Sequence, residues 1–219
     1  SMIAELAESL QNIFGYSNFR PGQEEIISHI LSRKHLLAVM PTGAGKSLCY
    51  QLPAVLFNGR TIIVSPLIAL MNDQVSYLKS IKVPAESIHS HQSYAENVTS
   101  WLAFVRGDIK ILYISPERLM TEKLLSALTK ISIDLFVIDE AHCVSKWGAG
   151  FRPQYDRLRN IQSIFPNSTL AAFTATADKT TRTDISEKLT SGNARIIVKG
   201  FDRPNLSLTV ALKNGWKVK

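Results

Sequence analysis

Short apolar runs at 36–40, 61–65, 109–114, 133–138, 169–174 and 195–198 punctuate the chain, and longer amphipathic stretches separate them. The runs are rich in Val, Ile and Leu and show no strict polar alternation, so each would bury both of its faces. That is the pattern of strands inside a parallel sheet. Between the runs, Ile3, Leu6, Leu10, Ile13 and Phe14 fall on one helical face, as do Tyr155, Leu158, Ile161 and Phe165. Strand followed by helix, repeated, predicts an α/β fold with right-handed crossovers. Its working loops should lie at the carboxyl ends of the strands.

Composition narrows the function classes. A chain of 219 residues with 45% hydrophobic and 20% charged residues buries a real core, which excludes wholesale disorder. No apolar run approaches the roughly 20 residues that span a bilayer, and no secretory leader opens the sequence. A cytoplasmic protein without a membrane partner is expected, nucleoid-associated if the source is bacterial. Cys49 and Cys143 form no CxxC pair, consistent with a reducing compartment. The net charge of +7 permits a polyanionic partner without requiring one. No repeat or Gly/Ser linker divides the chain, but six basic residues and one acid fall between 195 and 219.

Two segments carry phosphate chemistry. The run 36–48, Leu-Leu-Ala-Val-Met-Pro-Thr-Gly-Ala-Gly-Lys-Ser-Leu, is a strand, a small-residue loop and a helix start. Thr42, Gly43, Ala44 and Gly45 would turn their N–H groups toward phosphate oxygens, with the helix dipole behind them. Lys46 would reach the β- and γ-phosphates, and Ser47 would ligand Mg²⁺. Met40 stands where the GxxxxGK[ST] pattern has its first glycine. The run 133–138 ends in Asp139 and Glu140. Asp139 would hold Mg²⁺ and Glu140 would orient or deprotonate the attacking water. Two acids at a strand end are common alone; beside a phosphate loop they complete a phosphoryl-transfer site.

Asp139-Glu140-Ala141-His142 runs directly into the aromatic loop of Trp147, Phe151 and Arg152, and this junction resembles the RecQ family of superfamily 2 DNA helicases. Tyr16 with 19–23 (Phe-Arg-Pro-Gly-Gln), the phosphate loop through Pro53, 65–74, 113–119, 173–177 and 201–205 resemble further family motifs, in the family's order. The resemblance implies a three-layer RecA-like P-loop NTPase domain with a mostly parallel central sheet. Residues 1–206 would be the first motor lobe, and 207–219 a basic tail leading toward a second. It also implies ATP and Mg²⁺ as cofactors, DNA repair and recombination as setting, and single-stranded and partial-duplex DNA as partners. Arg20 and Gln23 would bind the adenine edge and Tyr16 would stack on its face. His142, Thr174 and Thr176 would couple nucleotide to DNA; Ser65, Pro66, Ser115, Trp147, Phe151 and Arg152 would contact DNA. Tyr16 and Phe19 could instead staple the following helix, and Trp147 and Phe151 could cap the core.

The full protein is then expected to be a 3′-to-5′ ATP-dependent DNA helicase. The 219 residues alone, lacking the arginine finger of a second lobe, should be monomeric, bind nucleotide weakly and unwind nothing. An RNA-remodelling DEAH-box ATPase is disfavoured by the aromatic loop, and a non-catalytic DNA-binding scaffold by the intact Lys46, Asp139 and Glu140. No zinc is expected, with His89 and His91 as solvated loop residues. Lys46 should face solvent, so that its removal abolishes hydrolysis while barely moving stability. The family usually reads Trp-Gly-His-Asp-Phe-Arg where this chain has Ala149 and Gly150. That departure predicts a mobile loop and weak stimulation by DNA, improved by Ala149→His with Gly150→Asp.

Overall fold

The computed structural model describes residues 2–176 and 178–201. The strands are β1 (Leu36–Val39), β2 (Arg60–Val64), β3 (Ala85–Ile88), β4 (Ile111–Ile114), β5 (Ile133–Ile138), β6 (Thr169–Thr174) and β7 (Arg195–Val198). They form one sheet in the order β3-β4-β2-β5-β6-β1-β7. Every pairing is parallel. The expected α/β architecture is therefore present, with a sheet that is wholly parallel among the described strands.

The helices are α1 (Met2–Ser9), α2 (Gln23–Leu31), α3 (Lys46–Leu56), α4 (Ile68–Ser80), α5 (Tyr94–Arg106), α6 (Pro116–Leu119), α7 (Glu122–Leu128), α8 (Pro153–Asp156), α9 (Ile161–Ile164) and α10 (Lys179–Thr190). Alternate strand residues feed two cores, because successive side chains of a strand point to opposite faces. Leu36, Ala38, Ile63, Val137 and Phe173 pack with Leu10, Ile26, Tyr50 and Leu52. Leu37, Val39, Ile62, Phe136 and Ala172 pack with Phe104, Tyr155, Leu158 and Leu189. Each Val, Leu, Ile or Phe among them contributes roughly 1.5–3 kcal/mol when fully buried. Both helical faces expected from periodicity line these cores, except that Ile3 is exposed. A π-type turn, Leu10–Phe14, continues α1 and keeps Leu10 and Phe14 inside.

Met40 has a simple explanation. It is fully buried, and its N–H donates to the Thr174 carbonyl at 3.0 Å. The position extends the strand line rather than the loop, so an apolar side chain suits it. Burial also pushes the Cys49 thiol up to about 12 and the Cys143 thiol up to about 11. Neither forms a thiolate at neutral pH.

The structure corrects the sequence reading at one edge. β3 is a strand that periodicity did not mark, because its Glu86 and Ser87 break the apolar run; Glu86 pairs with Lys79 at 3.0 Å. His89, expected in a solvated loop, is 1% exposed. Its Nε2 bonds Asn72 Oδ1 at 3.1 Å, and its Nδ1 accepts the His91 N–H at 3.1 Å. His91 is exposed, as expected. The exit segment 202–205 and the basic tail 207–219 lie outside the described residues.

His35 resembles His89, since its Nδ1 accepts the Leu170 N–H at 3.1 Å. Burial lowers both imidazoles below the usual 6.5. Protonation would set N–H against N–H in each case. The unfolded chain therefore binds more protons than the folded one just below pH 6.5, and stability must fall as pH drops through that window. Urea midpoints of the chain measured about one unit above and one unit below 6.5 should be lower on the acid side. A flat profile would contradict these two bonds.

Candidate functional site

β6 lies between β1 and β5, so the carboxyl ends of three neighbouring strands deliver Met40, Thr174 and Asp139 to one place. The phosphate loop leaves β1 there. Gly45 sits at φ +81° and opens α3, and a Cβ on it would run into the Gln23 amide. Both the positive φ and the close approach require glycine. Arg20 and Gln23 clamp the loop from outside. Arg20 Nη1 donates to Gly43 O at 2.7 Å, and Gln23 Nε2 donates to Gly45 O at 2.9 Å. Gln23 Oε1 in turn accepts the Arg20 N–H at 2.8 Å. Thr42 is exposed at the loop tip, and Ala44 N–H donates to Pro41 O at 3.2 Å.

Asp139 is the meeting point of the two halves. Its side chain is 2% exposed, and Oδ1 pairs with Lys46 Nζ at 3.1 Å while accepting the Glu140 N–H at 2.9 Å. The Tyr50 hydroxyl stands 3.3 Å from Asp139 Oδ2 and 3.1 Å from Gln74 Oε1. Gln74 Nε2 donates to Ser47 Oγ at 2.7 Å, which closes a chain from Ser47 to Asp139. Tyr155 anchors the strand end by donating to Asp139 O at 2.8 Å. Motif reading singled out neither tyrosine. The available signal for Tyr50 is its place one helical turn beyond Lys46. Glu140 adopts φ +52°, ψ +45°, a left-handed conformation that a non-glycine residue holds only where its surroundings impose it.

A cavity of about 420 Å³ opens beside the loop, lined by Tyr16, Arg20, Gln23, Ser47, Gln74 and Tyr77 among others. Phe19 packs against the core, whereas Tyr16 stays half-exposed in the cavity wall. Of the two aromatics, Phe19 is therefore the one committed to packing. Burial, and then the neighbouring Tyr16 hydroxyl, raise the Tyr77 phenol above its usual range.

On the other side of Asp139, His142 Nδ1 shares a hydrogen bond of 2.9 Å with Thr174 Oγ1 and lies 3.6 Å from Glu140 Oε2. Thr174 Oγ1 also accepts the Thr176 N–H at 3.2 Å. Burial lowers the His142 imidazole below 6.5 against the pull of Glu140. The aromatic loop is tied down at several points. Ser145 Oγ donates to Asp184 at 2.6 Å, Trp147 N–H donates to Ser145 Oγ at 3.2 Å, and Arg152 N–H donates to Cys143 O at 2.9 Å. Lys146 Nζ lies 5.4 Å from the centre of the Phe151 ring.

Gly150 makes the decisive contact. A Cβ built on it would stand 2.5 Å from His142 Cδ2 and 3.0 Å from Nε2. The glycine expected to loosen this loop instead lets it seat against His142. Trp147 remains 72% exposed, so it does not cap the core. Pro66, Phe151 and Arg152 share a cleft of about 420 Å³ with His142 and Glu140. Ser65 and Ser115 do not join them. Both side chains are buried, Ser65 Oγ accepting the Leu67 N–H at 3.2 Å and Ser115 Oγ having no protein partner. A hydroxyl contact from either to DNA is not available in this arrangement.

The DEAD/DEAH box helicase family profile matches residues 20–185. The chain belongs to the DEAD/DEAH box helicase family. This helicase domain is 43% identical to the ATP-dependent DNA helicase RecQ of Pasteurella multocida, over 93% of its own length and 32% of the relative's. It is 41% identical to the probable ATP-dependent DNA helicase RecS of Bacillus subtilis, over 95% of its length and 42% of the relative's. The chain thus spans about a third to two-fifths of these relatives. A hypothetical ATP-dependent RNA helicase from Sulfolobus tokodaii shares the fold with a TM-score of 0.68 at 21% identity, covering 90% of this chain and 57% of that one. The DUF1998 helicase MrfA bound to DNA and AMPPNP shares it with a TM-score of 0.71 at 21% identity, covering 90% and 29%. Among the described residues, no helix is long and apolar enough to cross a membrane, and no group of three His, Cys, Asp or Glu side chains could hold a metal ion.

Lys46 is not the solvent-facing residue its loop position implies; its side chain is 19% exposed and neutralises buried Asp139. Lys46→Ala in this chain should therefore lower the free energy of unfolding without nucleotide by about 1–3 kcal/mol, the penalty for stranding a buried polar group. Adding Asp139→Asn should recover part of that loss, since an amide needs no counter-charge. Urea unfolding checks both. A Lys46→Ala variant as stable as the parent would show that the pair contributes nothing.

Proposed function

We propose that this domain is the nucleotide-binding lobe of an ATP-dependent DNA helicase that moves 3′ to 5′ along single-stranded DNA and opens partial duplexes. The observation that carries the reading is the Lys46–Asp139 pair, which joins the phosphate loop to the acidic strand end at 3.1 Å beside a nucleotide-sized cavity. The relatives' names, ATP-dependent DNA helicases, support DNA as the track.

The chemistry follows from these groups. Triphosphate entering the loop competes with Asp139 for Lys46, whose ammonium moves to the β- and γ-oxygens. N–H groups at the start of α3 add the positive end of the helix dipole. Gln23 keeps one N–H and one Oε1 lone pair beyond its bonds to the loop, the donor–acceptor pair that an adenine edge takes. Tyr16 stacks on the ring. Ser47 Oγ and the Asp139 carboxylate are hard oxygen donors that fit Mg²⁺, which would neutralise phosphate charge when bound. Glu140, fixed by its left-handed backbone, orients the attacking water and accepts its proton. A second lobe would supply the arginine that completes the site.

Coupling runs through Thr174, His142 and Gly150 to the aromatic loop. DNA bases on Trp147 and Phe151 shift the loop; the loop bears on His142, and His142 bears on Thr174 and Glu140. In the full-length protein, single-stranded DNA should stimulate ATPase activity more than RNA does. Gly150→Ala, whose methyl meets the His142 ring, should reduce that stimulation roughly tenfold, since ångström-scale misplacement of positioning groups acts on that scale or above. Gly150→Asp should do the same rather than improve coupling. Steady-state ATPase rates with and without each polymer test this, and undiminished stimulation in Gly150→Ala would remove the loop-to-histidine contact from the mechanism.

A further inference from the structure

At the carboxyl ends of β3 and β4, away from the nucleotide cavity, a groove of about 250 Å³ lies between α5 and the α6–α7 pair. Tyr94 stands on its rim and is 81% exposed, the highest value among the exposed large hydrophobic side chains described. Its position is set by the structure around it. Ser93 Oγ accepts the Glu96 N–H at 3.1 Å and Glu96 Oε1 accepts the Ser93 N–H at 2.9 Å, a reciprocal cap that fixes the first turn of α5. Asn97 Nδ2 donates to His89 O at 3.0 Å, tying that turn to the end of β3. About two turns along the same helix face, Trp101 lines the groove and packs on the core, its ring centroid 6.4 Å from that of Phe104.

The opposite wall supplies Arg118 and Lys123, both exposed, and no carboxylate lines the groove. Two aromatics, two cations and no acid match what a single nucleic-acid strand requires, a stacking platform beside an electrostatic track. The groove and the cleft at Pro66 lie at the same edge of the sheet, beyond neighbouring strand ends. Ser65 N–H donates to Ile114 O at 3.2 Å and Ser115 N–H donates to Ile88 O at 3.3 Å, so the ends of β2, β4 and β3 are chained side by side. Two strand spacings, about 10 Å, separate the path at β2 from the groove at β3.

We propose that this groove takes a base of single-stranded DNA, stacked on Tyr94 over the Trp101 floor, with the neighbouring phosphates at Arg118 and Lys123. The inference rests on the DNA-tracking reading above and extends its path by two strand widths. It adds a stacking site that the aromatic loop does not supply.

The test is fluorescence anisotropy of the full-length protein with labelled oligothymidylate, comparing Tyr94→Ala, Tyr94→Phe, Lys123→Ala and, as a marker of the aromatic-loop contact proposed above, Trp147→Ala. Tyr94→Ala should weaken binding about tenfold, the scale of one lost base–aromatic stack, and Tyr94→Phe should restore it. Lys123→Ala should lower the slope of log affinity against log salt by about one. Equal weakening by Phe and Ala would overturn stacking. Unchanged affinity in both Tyr94→Ala and Lys123→Ala, with Trp147→Ala weakened, would overturn the groove alone and leave it to a protein partner. A parent protein that binds no oligothymidylate would overturn this inference together with the DNA reading.

Discussion

A buried carboxylate needs a partner, and in this chain that requirement organises the site. Asp139 comes out of the sheet nearly inaccessible to solvent, and three groups answer it: the Lys46 ammonium, the Glu140 N–H and the Tyr50 hydroxyl. The first draws the phosphate loop onto the end of β5. The second holds Glu140 in its left-handed conformation. The third links the carboxylate through Gln74 to Ser47. Removing the negative charge would leave the loop lysine without its counter-ion. The residues to which the proposed reading gives phosphate and metal contacts are thus already held together by bonds to one another.

Thr174 extends this arrangement across the sheet. It faces Met40 through its backbone and His142 through its hydroxyl, so one buried residue of β6 touches both the strand that launches the phosphate loop and the turn that launches the aromatic loop. Gly150 completes the line because it has no Cβ to hold the loop off the histidine. Short, packed contacts of this kind pass small displacements well, since close-packed interiors resist compression. The proposed coupling would then need no large motion within the lobe.

Much of this was legible in the sequence, for physical reasons. A parallel sheet buries both faces of its inner strands, so β1, β2, β4, β5 and β6 announce themselves as continuous apolar runs. The phosphate loop and the acidic pair are legible because their chemistry needs particular residues at fixed local spacing. β3 escaped because an edge strand keeps polar side chains, here Glu86 and Ser87. His89 escaped because its partners, Asn72 and the His91 N–H, are brought to it by the fold rather than by a motif. The same holds for the bond from Tyr155 to the Asp139 carbonyl, although its place on a core-facing helix was legible, and for Gly150, whose closeness to His142 reverses what a glycine in an isolated loop implies. Ser65 and Ser115 lie in legible motifs, yet each follows the last residue of a buried strand and is itself buried by the fold.

The central claim is that one adenine-nucleotide site is built from Gln23, Arg20, the phosphate loop and Asp139. The most direct measurement is calorimetric titration of ADP and of GDP, each with Mg²⁺, into this chain. Gln23 offers a donor and an acceptor that suit the amino group and ring nitrogen of adenine, whereas guanine presents acceptors at both places. The account predicts that ADP binds and that GDP binds at least about tenfold more weakly, a difference of about 1.4 kcal/mol. Equal affinities, or no binding of either nucleotide, would contradict it.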